Sequence, residues 1–348
     1  VERRQVTAQE LANIARRLVG NGKGLLAMDE SNPTCDRRFA SVGIPQTEEA
    51  RRAWRELLVT TRDLADSISG AILYDETIRQ KTNDGTPFVK VLADVGIIPG
   101  IKVDTGAKDL AGHPGETVTE GLDGLRLRLQ EYFQMGARFA KWRAVISPGA
   151  ELPSWGCVEA NAHALARYAA LCQEVGLVPV VEPEVLMAGA HSLERCLEVT
   201  EETLRSVFNH LRAQRVLLEG MILKPNMVLP GLSCPDQATV GEVAAATVTC
   251  FLRTVPAAVP GIAFLSGGQS AELASTRLNA MNIIADAATP RPPWSLVFSF
   301  ARAIQQPALE IWRGQDAHVE AAQWALAHRA RCNRAALHGG YTTAMELM

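Results

Sequence analysis

Eight short runs of apolar and β-branched residues recur along the chain, separated by stretches whose apolar positions fall three or four residues apart. The runs are Gly24–Glu30, Gly70–Glu76, Ile97–Asp104, Ala137–Arg143, Leu177–Glu184, Leu218–Pro225, Ile262–Gly268 and Trp294–Arg302. They begin about 39 residues apart on average, room for a strand, a crossover helix and two loops. Helices are predicted between them. Thr47–Thr60 carries Ala50, Trp54, Leu57 and Leu58, and Asn161–Glu174 carries Leu165, Tyr168 and Leu171. Leu193–Leu211, Thr239–Thr254 and Ser270–Ile283 follow the same period. Near the start, Thr7-Ala8-Gln9-Glu10 reads as a capping box rather than part of a leader, opening a helix with Leu11, Ile14 and Leu18 on one face and Gly20 at its end. Strands alternating with helices predict an α/β fold, and eight parallel strands close into a (β/α)8 TIM barrel with additional terminal helices outside. An open doubly wound sheet is the alternative topology. No Gly/Ser/Pro-rich linker divides the chain, so residues 1–348 are read as a single domain with a short C-terminal tail at 339–348.

Length alone, 348 residues, favours two domains; the eight-fold run pattern replaces that expectation with one barrel. At 47% hydrophobic residues there is material for a large core. Lys and Arg number 35 against 38 Asp and Glu, a net charge of −3, with basic residues scattered in pairs such as Arg16-Arg17, Arg37-Arg38 and Arg51-Arg52. A nucleic-acid surface would need a basic excess, so no nucleic-acid partner is expected. Apolar stretches such as Val243–Ala246 fall far short of the roughly 18 residues of a membrane span, and no membrane partner is expected either. Cys35, Cys157, Cys172, Cys196, Cys234, Cys250 and Cys332 form no Cys-x-x-Cys pair and are odd in number. Free thiols in a reducing, cytoplasmic compartment are the expectation. Asn32-Pro33-Thr34 has proline in the middle and is no glycosylation acceptor.

The placement of charge is more informative. Seven of the eight runs end in an ionisable residue: Asp29, Asp75, Lys102, Lys141 with Arg143, Glu182 with Glu184, Lys224, and Arg302. The remaining one ends in Ser266-Gly267-Gly268. In a barrel the carboxyl ends of all strands meet at one face, where active sites lie. Residues two apart on a strand point the same way, so Lys141 shares a side with Arg143, and Glu182 with Glu184. Ordinary strand-end polarity accounts for one or two such charges, not for lysines inside apolar strands. A lysine buried near a second cation loses proton affinity and becomes a nucleophilic amine. Lys224 is the candidate, with Lys141 as the cation. Such an amine attacks a carbonyl to form an iminium, an electron sink for cleaving the neighbouring carbon–carbon bond, with Glu182, Glu184 and Asp29 available to move protons. The plainer reading of Lys224 alone is a snorkelling side chain or an ion pair with Glu182. Ser266-Gly267-Gly268-Gln269-Ser270 opens a predicted helix, where backbone amides and the helix N-terminus favour an anion. Arg302 could clamp the same phosphate. Gly20-Asn21-Gly22-Lys23-Gly24 follows a helix and precedes a strand, the wrong order for a nucleotide loop. The seven histidines include no pair at i, i+4, and no catalytic metal or other cofactor is expected.

Together these segments resemble the class I, Schiff-base fructose-1,6-bisphosphate aldolase family. The segments that carry the likeness are Leu26-Ala27-Met28-Asp29-Glu30-Ser31, Gly100-Ile101-Lys102-Val103-Asp104, Ala140-Lys141-Trp142-Arg143 and Val181-Glu182-Pro183-Glu184. Leu223-Lys224-Pro225-Asn226-Met227, the stretch Phe264 to Ser270 and the stretch Phe298 to Ala303 complete the series, and the likeness runs from about Gln9 to Tyr341. It implies a metal-independent homotetramer acting on sugar bisphosphates, reversibly cleaving fructose 1,6-bisphosphate to dihydroxyacetone phosphate and glyceraldehyde 3-phosphate in glycolysis, gluconeogenesis or the Calvin cycle. By position, it makes Lys224 the Schiff-base lysine and Glu182 the acid/base of carbinolamine formation and dehydration. Glu184 and Lys141 support Glu182, and Asp29 handles the hydroxyl proton during cleavage. Ser266, Gly267, Gly268 and Arg302 fall at one phosphate pocket; Lys102, Arg143, Ser31 and Arg38 fall where the family meets the other phosphate or the sugar chain.

Three features depart from the family pattern. Many members end in a flexible tail with a terminal tyrosine that assists proton transfer; here Tyr341 resembles the tyrosine before that tail, and the sequence runs on only through Met348. The segment Ile283–Pro293 is longer than usual, and Ala301 stands where glycine is common. Two other readings remain open on sequence: a Schiff-base aldolase preferring sedoheptulose 1,7-bisphosphate, and a non-catalytic sugar-phosphate scaffold.

Overall fold

Strands buried on both faces read as continuous apolar runs, and such strands pair in parallel with helices covering them. The computed structural model describes residues 7–347. In it the runs become β1 (Gly24–Ala27), β2 (Ile68–Leu73), β3 (Ile98–Lys102), β6 (Phe139–Ile146), β7 (Val178–Val185), β8 (Ile222–Leu223), β9 (Gly261–Phe264) and β10 (Ser295–Phe300). They close a parallel barrel in the order β1-β10-β9-β8-β7-β6-β3-β2. The predicted alternative, an open sheet, is excluded by that closure. Two further strands, β4 (Gly106–Asp109) and β5 (Thr117–Glu120), pair as an antiparallel hairpin outside the ring. Half of their residues are exposed and only Thr119 is buried, so they carry no apolar signature and the hydrophobic pattern passes over them.

Helices surround the barrel: α1 (Ala8–Val19), α2 (Asn32–Ala40), α3 (Glu48–Val59), the short α4 (Asp75–Arg79), α5 (Phe88–Asp94) and α6 (Leu125–Met135) in the first half. The second half adds α7 (Trp155–Val175), α8 (Leu193–Ala213), α9 (Val240–Thr254), α10 (Ala271–Ala287), α11 (Arg302–Trp312) and α12 (Val319–Ala336). The capping box forms as read: Thr7 accepts from the Glu10 amide, the Glu10 carboxylate accepts from the Thr7 amide, and Gly20 ends α1.

α1 lies across the amino-terminal end of the barrel. Leu18 and Val19 press against Gly70 and Gly261, where an added Cβ would fall 2.6 and 2.7 Å from their side chains. Phe139 fills the space beneath; a Cβ on Gly100 would sit 2.3 Å from its ring. Glycine at these strand positions is therefore a matter of space, not backbone freedom. On β6, Trp142 points outward and stacks on Tyr168 of α7 with centroids 5.5 Å apart. The two-residue alternation then turns Lys141 and Arg143 the other way.

Three expectations shift. The Leu218–Pro225 run contributes only two residues of strand, because Leu218–Gly220 winds into a 3₁₀ turn packed under α1, with Gly220 close to the Leu11 side chain. Asp75 and Glu76 do not stand at a strand mouth. They open α4, where Asp75 pairs with Arg79 and accepts from the Tyr132 hydroxyl, and Glu76 pairs with Arg51. Arg302 is the first residue of α11, beyond the end of β10 at Phe300.

Candidate active site

At the carboxyl end of the barrel four buried ionisable side chains join in a line. Asp29 follows β1, Lys141 lies on β6, Glu182 on β7, and Lys224 follows β8. Lys141 Nζ stands 3.0 Å from Asp29 Oδ2 and 2.9 Å from Glu182 Oε2. The other Glu182 oxygen, Oε1, stands 3.2 Å from Lys224 Nζ. Charge thus alternates along Asp29, Lys141, Glu182 and Lys224, all at most 9% exposed. Ions this buried persist only when paired, since the desolvation of each is costly.

Electrostatics follow from that order. Burial would raise the Asp29 pKa, but the Lys141 and Lys224 ammonium groups overcome it and hold the carboxyl at about 2. Burial pushes Glu182 up as well, and Lys141, Lys224 and Arg143 bring it below the usual carboxylate range. Burial disfavours the Lys141 ammonium, yet Asp29 and Glu182 together raise its pKa well above that of a free lysine. Lys141 is thus a fixed positive charge between two carboxylates, and Glu182 offers one oxygen to each lysine.

Glu184, next inward-facing residue on β7, pairs with Arg143. Arg143 donates its backbone amide to Asp104 Oδ2 at 3.3 Å, and Asp104 Oδ1 meets Lys102 Nζ at 2.7 Å. Lys102 and Arg143 therefore stand together at the mouths of the adjacent strands β3 and β6, each with a carboxylate partner, Asp104 and Glu184. Ser266, Gly267 and Gly268 follow β9. Gly267 has φ +58°, and a Cβ there would collide with the Met187 sulfur at 2.2 Å, so glycine is required for both its conformation and its closeness. Ser270 caps α10 by accepting from the Leu273 amide at 3.2 Å. Arg302 Nη2 donates to the Gly267 carbonyl at 2.6 Å, which ties the start of α11 to this loop.

Ring order decides how these groups face one another. β9 stands four strands from β3, and β10 four strands from β6. In an eight-strand ring those are opposite walls. The Ser266–Gly268 loop with Arg302 and the Lys102–Arg143 pair thus stand across the mouth from each other. Ser31 and Arg38 do not join Lys102 and Arg143 as a single cluster. They belong to the β1–α2 segment, where Ser31 donates to Thr34 Oγ1 at 3.2 Å. Arg38 is held by Glu30 and by Gln305 and Gln306 of α11, on the β10 side of the ring.

A mouth with a buried lysine pair between two opposed cationic walls suits a doubly anionic carbonyl compound, and comparison with known proteins says which family built it. The family model for fructose-bisphosphate aldolase class-I matches residues 10–347. A probable fructose-bisphosphate aldolase class 1 of Xanthomonas campestris is 58% identical over 335 residues, spanning 96% of this chain and 99% of its own. The chain belongs to the class-I fructose-bisphosphate aldolase family. A cytosolic fructose-bisphosphate aldolase of Arabidopsis thaliana is 51% identical over 96% of this chain and 92% of its own. Among solved structures, fructose-bisphosphate aldolase from Plasmodium falciparum, in a ternary complex with TRAP and a small-molecule inhibitor, superposes with a TM-score of 0.94 at 44% identity, covering 97% and 98% of the two chains. The family is one of carbon–carbon lyases on a TIM barrel, and this chain shares that fold.

Several residues around this aldolase site were not singled out in the sequence. Asp104 spaces Lys102 from Arg143; its signal was its position two residues beyond Lys102, on the same side of the chain. Glu30 is gripped by Arg38 and by Arg55 Nη1 at 2.9 Å, and nothing in its local pattern announces two arginine partners from α2 and α3. Asn226 accepts from the Val185 amide at 3.0 Å and fastens the end of β7 to the segment after Lys224. Gln305 reaches from α11 to donate to the Ala27 carbonyl at 2.6 Å, holding the end of β1, from which Asp29 extends.

Proposed function

We propose that this aldolase cleaves fructose 1,6-bisphosphate reversibly, through a Schiff base on Lys224, into dihydroxyacetone phosphate and glyceraldehyde 3-phosphate. The observation that carries it is the placement of Lys224 Nζ 3.2 Å from Glu182 Oε1, in a buried ion line between opposed cationic walls. One phosphate is held by the Ser266–Gly268 loop and Arg302, the other by Lys102 and Arg143, and Ser31 and Arg38 line the β1 side. Glu182 accepts the proton that Lys224 sheds as its amine attacks the keto carbon. It returns a proton to the carbinolamine hydroxyl, which leaves as water and yields the iminium. Asp29, ionised at neutral pH, then takes the proton of the hydroxyl beyond the scissile bond. The carbon–carbon bond breaks, the aldehyde departs, and the electron pair is held as the enamine. Protonation and hydrolysis release the ketone phosphate and regenerate Lys224. Lys141 stays positively charged beside both carboxylates and draws each back to its ionised form after a transfer, and the Glu184–Arg143 pair holds the flank of Glu182.

In the same reading the chain is a single barrel domain that works as a homotetramer in the cytoplasm, serving glycolysis, gluconeogenesis or the Calvin cycle. Among the described residues no helix is long and apolar enough to cross a membrane, and the Arabidopsis relatives are described as cytosolic. The deciding experiment is incubation with dihydroxyacetone phosphate, reduction with borohydride and mapping of the adduct by mass spectrometry. A stable adduct on Lys224 is expected. Full turnover with no adduct there would overturn the Schiff-base assignment.

A further inference from the structure

All seven cysteines are buried free thiols, and one has unusual company. His328 and Cys332 lie one turn apart on α12, with Nε2 3.6 Å from Sγ. The segment after Tyr341 folds back along this helix and brings Glu346 to the same point. One donor atom from each of the three residues lies within 4.8 Å of both others, and among the described residues no other His, Cys, Asp or Glu trio converges in this way. We propose that His328, Cys332 and Glu346 form a binding site for a divalent transition metal of the zinc type, separate from the barrel mouth, which fastens the C-terminal segment to α12.

The donor set is imidazole nitrogen, thiolate sulfur and carboxylate oxygen, the mixture that zinc takes, with water completing a tetrahedron. Ligands about 2.0–2.3 Å from zinc stand roughly 3.5 Å from one another. The His328–Cys332 pair already has that spacing, so the Glu346 carboxylate has only about an ångström to close. The surroundings hold the ligands from outside, as metal sites require. The His328 ring lies against the Met345 backbone. Glu346 Oε1 accepts from the Tyr341 hydroxyl at 2.6 Å and from Arg329, leaving its second oxygen for a metal. The Trp324 ring stacks on His328 with centroids 5.1 Å apart, which fixes the plane of the imidazole.

A metal binds cysteine as the thiolate, so its entry releases the Cys332 proton to solvent and replaces the weak contact between ring and thiol with two bonds to the metal. The site escapes a search for histidine pairs because its helical pair is His–Cys and its third member lies beyond the helix.

Titration of the full chain with cobalt(II), a spectroscopic stand-in for zinc, tests this. One equivalent should produce a thiolate-to-cobalt charge-transfer band with the intense visible bands of four-coordination, and zinc should erase both. Cys332→Ser should abolish the charge-transfer band, and His328→Gln and Glu346→Gln should each weaken binding roughly tenfold or more, while aldolase activity stays at the wild-type level in all three. No charge-transfer band at one equivalent, or its persistence in Cys332→Ser, overturns the site. Glu346→Gln binding as tightly as the wild type overturns the fastening of the C-terminal segment. So does zinc that leaves carboxypeptidase digestion of that segment unslowed. His328→Gln, at a partly exposed position, keeps the test valid should Cys332→Ser fold poorly.

Discussion

The two ends of the barrel are made from the same eight strands and solve opposite problems. At the amino-terminal end, α1 and Phe139 pack against Gly70, Gly100 and Gly261 with no charged side chain in the contact. At the carboxyl end, Asp29, Lys141, Glu182 and Lys224 take the space that apolar side chains fill at the other end. Buried ion pairs contribute little net stability, since desolvation offsets their attraction. Close apolar packing contributes much. The difference teaches that the closed end holds the barrel together so that the open end can keep four ions out of water.

This contrast can be broken at either end. Lys224→Ala should lower kcat/KM by roughly 10⁴-fold or more and abolish borohydride trapping, while the thermal midpoint stays close to the wild type; a large fall in midpoint would show that the ion line supports the fold. Phe139→Ala at the closed end should do the reverse. It should cost about 3–5 kcal/mol in urea unfolding, while protein that remains folded still forms the Lys224 adduct. Arg302→Ala should raise KM about 10- to 100-fold with a smaller change in kcat, the loss expected for charge-assisted hydrogen bonds to a phosphate. An unchanged KM would remove Arg302 from the phosphate clamp.

A pH series sharpens the electrostatic side. Asp29 is held at about 2 in the folded chain, against about 3.9 for an unfolded aspartate. A depressed folded pKa contributes stability that is fully present above pH about 4 and is lost as pH falls toward 2, on the order of 2 kcal/mol here. Urea midpoints measured through that window should fall less steeply in Asp29→Asn than in the wild type. The smallest effect belongs to Asp75→Asn. Its half-exposed pair with Arg79 on α4 should leave kcat/KM within about twofold and cost less than about 1 kcal/mol. A loss as large as that of Arg302→Ala would return Asp75 to the active site.

Much of this site was legible along the chain because the barrel imposes a strict local rule. Strands buried on both faces must be apolar, so a lysine or glutamate inside one stands out. Lys141, Glu182 and Lys224 were visible for that reason. Asp75 followed the same rule and misled, because the rule does not say where a strand stops and a helix begins. The β4–β5 hairpin and the shortened β8 escaped for related reasons: the first is exposed and polar, and the second lies in an apolar run that α1 bends into a 3₁₀ turn.

By itself the sequence determined the eight strands, the free thiols and the set of ionisable residues gathered at the barrel mouth, since each depends on residue type and on spacing within a few residues. Only the tertiary structure decided their partners. Lys141 lies between Asp29 and Glu182, and Arg302 stands across from Arg143, because ring closure brings β1 round toward β6 through β2 and β3 and sets β10 opposite β6. Glu346 reaches His328 and Cys332 only because the chain turns back along α12. Contacts between residues far apart in sequence depend on how helices and strands pack, and no local pattern encodes that packing.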